Sequence, residues 1–213
     1  YTGLAAVFIS QRKFKEAVAA SRKAIEIAPN YAWSHGNLGA ALHGQWILEG
    51  EIQQRKWDEA IDALRKAVDL EPKSAVGKRN LAIALGSLAW ALATDPVPTR
   101  RDPGRAVSLA QEAVDTDPQN GVYHNTLGVA LYGAGRWKEA VAALERATEL
   151  SKSHRASGEL FLAMAHWKLG EKETARAVYA RAAGWVDEHQ PKDEELRRFR
   201  AEAADLLGLN EKK

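Results

Sequence analysis

Residues 127–147 read LGVALYGAGRWKEAVAALERA, a pattern that recurs along the chain and indicates its architecture. It places the pair Leu127-Gly128 before a glycine-rich turn and the segment Trp137-Lys-Glu-Ala140 after it. A glycine or alanine at the crossing of two packed helices lets their axes approach to the short end of the usual range of about 8–10 Å. The stretch therefore predicts one helix on each side of the turn, packed together through Gly128 and Ala140.

The same pattern recurs along the chain. Five segments end in an alanine at the position of Ala140, and each has a second alanine seven residues further on. The segments are Phe14-Lys-Glu-Ala17, Trp57-Asp-Glu-Ala60, Pro103-Gly-Arg-Ala106, Trp137-Lys-Glu-Ala140 and Lys172-Glu-Thr-Ala175. A proline follows each of the first three copies (Pro29, Pro72 and Pro118), where it ends a helix because it lacks a backbone N–H. Together the copies resemble the tetratricopeptide repeat (TPR), a helix-turn-helix unit of about 34 residues.

The TPR resemblance implies an all-α fold, a right-handed solenoid of five helix-turn-helix repeats plus a C-terminal capping helix. The second alanines are 34 and 35 residues apart in the last two intervals, but 43 and 46 apart in the first two. We therefore expect insertions between the first helix (A) and the second helix (B) of repeats two and three. The expected repeats are about 1–30, 31–73, 74–119, 120–153 and 154–190, with insertions near 43–55 and 91–103, and with the capping helix and tail at 191–213.

Helical periodicity continues into both insertions, so each one lengthens an A helix. In repeat three this helix runs to about Thr94, and Asp102 is the expected N-cap of the next helix, with Pro103 at its first position. Trp46 follows Leu38 by eight residues, and Trp90 follows Leu81 by nine. The two tryptophans thus lie at similar positions in the two extended A helices, which predicts that they pack in one shared lobe. Either this lobe only buries its own tryptophans, or it forms a wall of a binding groove.

The last helix is expected from Lys192 to Leu207. Acidic residues 193–195 occupy its first turn, where negative charge suits the helix dipole, and its apolar residues form a stripe at helical spacing. A solenoid needs such a helix at its end, with an apolar face toward the repeats and a polar face toward water. Because the chain begins with Tyr1 and not with Met, we expect a fragment of a longer protein. Because a capping helix ends the repeats, we expect this fragment to keep its own C-terminus.

The composition argues against several classes of function. Lys and Arg number 30 and Asp and Glu 28, a net charge of +2, whereas a nucleic-acid-binding protein usually gathers a basic excess on one face. There is no cysteine, no apolar run near the roughly 20 residues that cross a membrane, and no phosphate-loop or zinc-protease motif. The six histidines do not pair at helical metal-ligand spacing. We therefore predict a protein that is not an enzyme, has no catalytic residue, metal or cofactor, and neither binds nucleic acid nor inserts into a membrane.

The TPR resemblance also implies where a partner binds. In TPR proteins the A helices line a concave surface, and their contact positions can be carried over through the leucine that each A helix contains. The predicted peptide-binding residues are Trp33, Asn37, Val76, Arg79, Asn80, Ile83, Asn125, Val129, Tyr132, Leu160, Met164 and Trp167. This set is mainly apolar and aromatic, with Arg79 as its clearest charge. It suits an apolar segment or an amphipathic helix.

A narrower resemblance covers about residues 88–209. It rests on the segments LAWALAT (88–94), FLAMAHW (161–167) and EELRRFRAEAA (194–204). These segments are similar to the C-terminal TPR segment of multidomain planctomycete proteins, many of which carry a serine/threonine kinase domain and others WD40-type repeats. The resemblance implies a bacterial parent protein that is cytoplasmic or tethered to a membrane, and a role in recruiting a partner.

Two functions therefore remain open. The first is a protein–protein interaction module that binds a protein or peptide in its groove and recruits it to a larger bacterial protein. The second is a structural spacer or self-association element, whose groove is filled by the chain itself or by a second copy in a homodimer.

Overall fold

The computed structural model describes residues 1–49, 54–150 and 156–209. In this part of the chain the secondary structure consists of eleven α-helices and one short 3-10 helix, Pro98–Arg100, without a β-strand. The predicted all-α fold class is confirmed. The helices are α1 Thr2–Ser10, α2 Phe14–Ile27, α3 Ala32–Glu49, α4 Gln54–Leu70, α5 Ala75–Thr94, α6 Pro103–Thr116, α7 Gly121–Gly133, α8 Trp137–Leu150, α9 Ala156–Lys168, α10 Lys172–His189 and α11 Glu194–Leu207.

The chain divides into two compact units, unit 1 (Tyr1–Leu88) and unit 2 (Ala89–Lys213), and α5 contributes residues to both. The odd-numbered helices α1 to α9 are the A helices of the repeats, and the even-numbered helices α2 to α10 are the B helices. The predicted insertion near 43–55 falls partly on residues 50–53, which lie outside the described residues. The predicted boundaries of the repeats stay a prediction.

In unit 1 the A and B helices alternate, with α1 packed on α2, α2 on α3, and α3 on α4. Gly39 lies where α3 meets α4. A Cβ at this position would stand 2.8 Å from the carbonyl oxygen of Ala60 and would overlap the buried side chain of Leu64. Gly39 and Ala60 hold the positions in repeat two that Gly128 and Ala140 hold in repeat four, and the close helix crossing predicted from this pattern is present here. Only a residue without a side chain lets these two helices pack as they do.

Unit 2 continues the alternation from α6 to α10. Gly128 takes the place that Gly39 has in unit 1, since a Cβ there would lie 2.5 Å from Leu144 Cγ and 3.2 Å from the Ala140 carbonyl oxygen. The start of α6 also agrees with the N-cap predicted from the sequence. Asp102 accepts a hydrogen bond from the backbone N–H of Arg105 at 3.0 Å and caps α6, whose first residue is a proline.

Two histidines fix the starts of A helices. His35 in α3 and His124 in α7 occupy the same repeat position. Each ring makes a hydrogen bond to the carbonyl oxygen of the proline six residues earlier, at 2.7 Å for Pro29 and 3.0 Å for Pro118. The proline ends the preceding B helix, and the histidine ties that end to the next A helix. These histidines are structural in both units.

The C-terminal helix α11 has a defined start and end. Asp193 caps it by accepting a hydrogen bond from the Leu196 N–H at 2.9 Å, and Gly208 ends it in the left-handed conformation, with a φ of 68°. Its apolar stripe is buried (Leu196, Phe199, Ala203 and Leu207). The helix packs mainly against α9 and less against α10. Its predicted role as the cap of the solenoid stays a prediction.

The two insertion tryptophans have different neighbours. In unit 1 the ring of Trp46 lies 4.1 Å from that of Trp57 and 6.2 Å from that of His43, measured between centroids. The ring nitrogens His43 Nε2, Trp46 Nε1 and Trp57 Nε1 are buried without a hydrogen-bond partner, and burial lowers the pKa of His43. In unit 2 the ring of Trp90 contacts that of Phe199 at 5.9 Å. The shared lobe predicted for Trp46 and Trp90 stays a prediction.

Candidate peptide-binding surfaces

An open cleft lies in unit 1 between the first turns of α3, the end of α4 and the first turns of α5. Its volume is about 400 Å³, part of which is open to solvent. Trp33, Asn37, Val76 and Asn80 line it, and all four were predicted from the repeat positions. The cleft exists because its floor is small: Gly36 has no side chain, and a Cβ there would lie 3.9 Å from the Cβ of Ala67. This surface is called the unit 1 cleft.

The apolar side chains of the cleft face solvent. Trp33 is 52 % exposed and Val76 is 58 % exposed. Ile83, one turn further along α5, is 37 % exposed. Burying large apolar groups is the main driving force for association, so solvent-exposed tryptophan and valine at the mouth of a cleft provide a surface on which an apolar segment can gain stability.

The polar groups of the cleft differ in whether they are already used. The Asn37 side chain donates from Nδ2 to the carbonyl oxygen of Thr2 at 3.0 Å. Asn80 occupies the same repeat position one repeat later, and its amide makes no hydrogen bond within residues 1–49, 54–150 and 156–209. Arg79, beside it, is exposed and forms no ion pair in that same part of the chain. The cleft thus presents the unused amide of Asn80 and the exposed carboxylate of Glu71, which lines it and forms no ion pair in the same part of the chain, while the Arg79 guanidinium lies beside the cleft.

In unit 2 most of the predicted groove residues are buried. The exposed fractions are 5 % for Asn125, 1 % for Val129, 0 % for Leu160 and 2 % for Met164. The Asn125 Oδ1 atom has no hydrogen-bond partner and lies so close to Gly158 of α9 that any side chain there would collide with it. In this structure the four side chains contribute to packing, and their role in binding stays a prediction.

Two predicted residues of unit 2 are half-buried. The ring of Tyr132 contacts that of Phe161 at 5.5 Å in an edge-to-face arrangement. Burial, assisted by the negative charge of Glu202, raises the pKa of Tyr132 to about 12. Trp167 lies under two cations of α10, with Lys172 Nζ 5.3 Å and Arg176 Cζ 5.7 Å from its ring centroid.

The sequence reasoning missed Arg101 and Phe161, and it singled out Trp90 without its contact to α11 in unit 2. In the structure Trp90 meets Phe199 and Glu195 of that helix, Phe161 meets Phe199, and Arg101 meets Glu202. The apolar stripe of α11 was visible in the sequence, but a stripe does not reveal which surface it will meet. Residues of the insertion in repeat three have no counterpart in the 34-residue unit, so repeat positions could not assign them.

Three family-model matches cover more than half of the sequence. Models described as tetratricopeptide repeat match residues 99–154, 125–194 and 1–31. The chain is a tetratricopeptide repeat protein. This confirms the predicted repeat family. A comparison with curated proteins finds no match to the TPR chain.

Solved structures share the fold of this TPR protein. YrrB, described as a TPR protein with an unusual peptide-binding site, aligns with a TM-score of 0.64 at 19 % identity, over 94 % of this chain and 90 % of YrrB. MamA from Desulfovibrio magneticus RS-1 aligns with a TM-score of 0.62 at 13 % identity, over 88 % of this chain and 94 % of that one. Another MamA structure gives 0.64 at 18 % identity, over 91 % and 93 %. At these identities the likeness concerns the fold alone.

The TPR family and the described residues bear on catalysis, metal binding and membrane insertion. TPR proteins are typically protein-interaction modules and generally non-enzymatic. Among the described residues, no three His, Cys, Asp or Glu side chains are grouped so that they could hold a metal ion. No helix in that part of the chain has both the length and the apolar character that crossing a bilayer requires.

Proposed function

We propose that this TPR chain is a non-catalytic interaction module that binds an apolar or amphipathic peptide segment in the unit 1 cleft. The observation that carries the proposal is the exposed Trp33 ring across an open cleft from the unused amide of Asn80. One group offers apolar area and the other offers hydrogen bonds, and a peptide can use both at once.

The apolar contribution follows from the exposure of Trp33. A tryptophan buries up to about 250 Å², so a side chain that is 52 % exposed leaves about 130 Å² for a ligand to cover. At about 25 cal/mol per Å² this area is worth roughly 3 kcal/mol. That is the energy expected of an interface anchor, and tryptophan is among the residue types enriched at such positions.

The polar contribution is read from the neighbouring repeat. Asn37 donates to a backbone carbonyl, that of Thr2, from the same repeat position that Asn80 occupies. Asn80 has no such partner in the described part of unit 1. An asparagine amide offers two donor hydrogens and one acceptor oxygen, which match the C=O and N–H of one peptide unit. We expect Asn80 to hold the backbone of a bound segment in the way that Asn37 holds α1.

The charges next to the cleft indicate the flanks of the ligand. Arg79 is exposed and has no carboxylate partner among the described residues. An arginine fork recognises carboxylates in a bidentate manner. The proposed ligand is therefore a short apolar segment with an acidic residue on the side of Arg79 and none on the side of Glu71, whose carboxylate lines the cleft.

The wider role rests on resemblance. The YrrB structure has a peptide-binding site, which supports peptide recognition as the use of the fold here. The resemblance of residues 88–209 to TPR segments of multidomain bacterial proteins supports recruitment to a larger protein acting in the cytoplasm. A second candidate function, a self-association element with an occupied groove, is favoured by the burial of Val129, Leu160 and Met164 in unit 2.

The test is selection of binding peptides from a random display library on the purified chain, followed by affinity measurements. We expect Trp33→Ala to weaken binding of the selected peptide by roughly 30-fold, about 2 kcal/mol, and Asn80→Leu to weaken it as well. Tyr31→Ala is the matched control, because Tyr31 is 48 % exposed and does not line the cleft. A peptide that binds all three variants equally well, or a library that enriches no apolar motif, would refute the proposal.

A further inference from the structure

In unit 2, the helix α11 does not repeat the placement of the helix before it. The A helix α9 packs more closely on the preceding B helix α8 than on the preceding A helix α7. If α11 only continued the stack, it would favour α10 in the same way. It packs instead mainly on α9, so its apolar stripe covers a surface of an A helix. In the TPR fold, A helices form the surface that binds ligands.

We infer that α11 occupies a peptide-binding surface of unit 2 as a built-in ligand, and that this surface recognises an amphipathic helix with a central phenylalanine and a glutamate on either side of it. The occupant in trans is a partner helix of that chemistry. This second site is independent of the proposed function of the unit 1 cleft, because that cleft is formed by other residues and is open.

The phenylalanine anchor sits among aromatic rings. Phe199 is only 1 % exposed. Its ring meets Phe161 of α9 at 5.0 Å with an interplanar angle of 67°, and Trp90 of α5 at 5.9 Å with an angle of 80°. Edge-to-face pairs at these separations are favourable beyond the area that they bury. An aromatic side chain that enters a ready-made aromatic pocket is the usual anchor of a helix bound in a groove.

The rim around this anchor pairs with charged side chains of α11. Arg101 Nη2 pairs with Glu202 Oε1 at 3.3 Å, while its Nε donates to the Asp95 carbonyl oxygen at 2.8 Å. Trp90 Nε1 donates to Glu195 Oε1 at 3.2 Å. The surface therefore presents donors at two points, and α11 brings a carboxylate to each from about one helical turn on either side of the anchor. The surface also presents one acceptor, the carboxylate of Asp187 in α10, which pairs with Arg200 of α11.

The insertion of repeat three supplies most of these contacts. Trp90 lies in the extension of α5, and Arg101 lies in the loop that follows it. The loop is fixed to the helix, because the Asp102 N–H donates to the Leu92 carbonyl oxygen at 3.0 Å, and because Asp95 is 6 % exposed and accepts from the Val97 N–H at 2.7 Å. A TPR unit needs neither residue for its own packing. The insertion thus serves to hold a helix on α9.

Occupation of this surface by α11 regulates the access of a partner helix. A helix tethered to its own site competes at an effective concentration in the millimolar range. A free helix of the same chemistry binds only when α11 is weakened or displaced. Substitutions that loosen α11 should therefore increase binding of a partner helix, which is the opposite of what loss of a binding residue does.

The experiment uses the intact chain and a fluorescent peptide of residues 191–209, with binding followed by anisotropy. The wild-type chain should bind the peptide weakly. Phe199→Ala in the chain should raise the affinity roughly tenfold or more, because the tethered competitor loses its anchor. Glu202→Lys, which alters only the partly exposed rim, should also raise the affinity for the peptide. If Phe199→Ala unfolds the chain, Glu202→Lys is compared with the wild type in its place. Arg197→Ala, at an exposed position of α11, is the control and should behave like wild type.

A charge exchange identifies the contact. A chain with Arg101→Glu should prefer a peptide with Glu202→Arg over the wild-type peptide, and the wild-type chain should show the reverse preference once α11 is loosened. The chains compared are the wild type, Phe199→Ala, Glu202→Lys and Arg197→Ala. If the peptide bound equally weakly to all four chains while each kept its helical content, this result would overturn the inference. So would unfolding of both loosened variants, since α11 would then be an inseparable part of unit 2.

Discussion

Two glycines of α3 offer a direct test of how the helices of unit 1 pack. Gly36 and Gly39 lie three residues apart in the same helix, and both face α4. A Cβ at Gly36 would lie at ordinary contact distance, 3.9 Å from the Cβ of Ala67. A Cβ at Gly39 would lie 2.8 Å from the Ala60 carbonyl oxygen and would overlap Leu64, which is 1 % exposed. Replacing each with alanine should therefore have opposite effects on stability.

The magnitudes follow from two terms. Alanine in a helix interior is more stable than glycine by roughly 0.5–1 kcal/mol, and Gly36→Ala should gain this amount in the free energy of unfolding. Gly39→Ala has the same gain but adds overpacking, which is typically about 1–3 kcal/mol. The obstructing atoms here are a backbone oxygen and a buried branched side chain, so the upper part of that range applies. The net expectation for Gly39→Ala is a loss of about 1–2 kcal/mol.

The assay is urea unfolding followed by far-UV circular dichroism, with a thermal melt as a second measure. The two variants should differ by about 2–3 kcal/mol in unfolding free energy, and by at least about 4 °C in melting temperature at about 2–4 °C per kcal/mol. Ser34 of the same helix is buried, and its hydroxyl makes a hydrogen bond with that of Thr2 at 3.0 Å. Ser34→Ala adds no volume at the crossing, so any loss of stability in this variant reports the lost hydrogen bond and not overpacking. The packing argument would be refuted if Gly39→Ala proved as stable as Gly36→Ala.

Three further predictions concern titration and helix capping. Burial lowers the pKa of His43, so just below pH 6.5 the unfolded chain binds more protons than the folded chain. The free energy of unfolding should therefore fall as the pH drops below 6.5. In urea titrations His43→Gln should make the free energy of unfolding less dependent on pH, and an unchanged dependence would contradict this expectation. NMR of isotope-labelled tyrosine should show that Tyr132 ionises near pH 12. Glu202→Gln should lower this pKa only slightly, because burial is the larger cause of the shift. Ionisation of Tyr132 near pH 10 in the wild type would contradict its burial and its proximity to Glu202 of α11. Asp102→Ala should lower the unfolding free energy by about 1 kcal/mol through loss of the α6 cap, while Asp102→Asn retains most of it; equal losses for the two variants would contradict the cap.

Much of the fold could be predicted because its determinants are local. The crossing of α7 and α8 follows from Gly128 and Ala140, and the start of α6 follows from an aspartate before a proline. The end of α5 near Thr94 follows from the prolines after it. Each of these features depends on residues no more than twelve positions apart in the chain, so one sequence contains the necessary information.

The position of α11 and the state of the groove could not be predicted in this way. The stripe of Leu196, Phe199 and Leu207 predicts a buried face, but the surface that it meets is formed by Trp90 and Phe161, far away in the sequence. The repeat positions also treat Trp33 and Leu160 as equivalent candidates. In the structure Trp33 is half-exposed and Leu160 is fully buried, because burial depends on neighbours that the repeat pattern does not specify.

The most direct test of the account uses the seven tryptophans of the chain, whose isotope-labelled indole N–H signals report on each site separately. A display-selected apolar peptide is titrated into the wild-type chain. The account predicts that the Trp33 signal shifts with the peptide, because its ring lines the open cleft of unit 1, and that the Trp90 signal stays in place, because Trp90 donates to Glu195 beneath α11. A peptide that binds and shifts Trp90 while leaving Trp33 unchanged would contradict it.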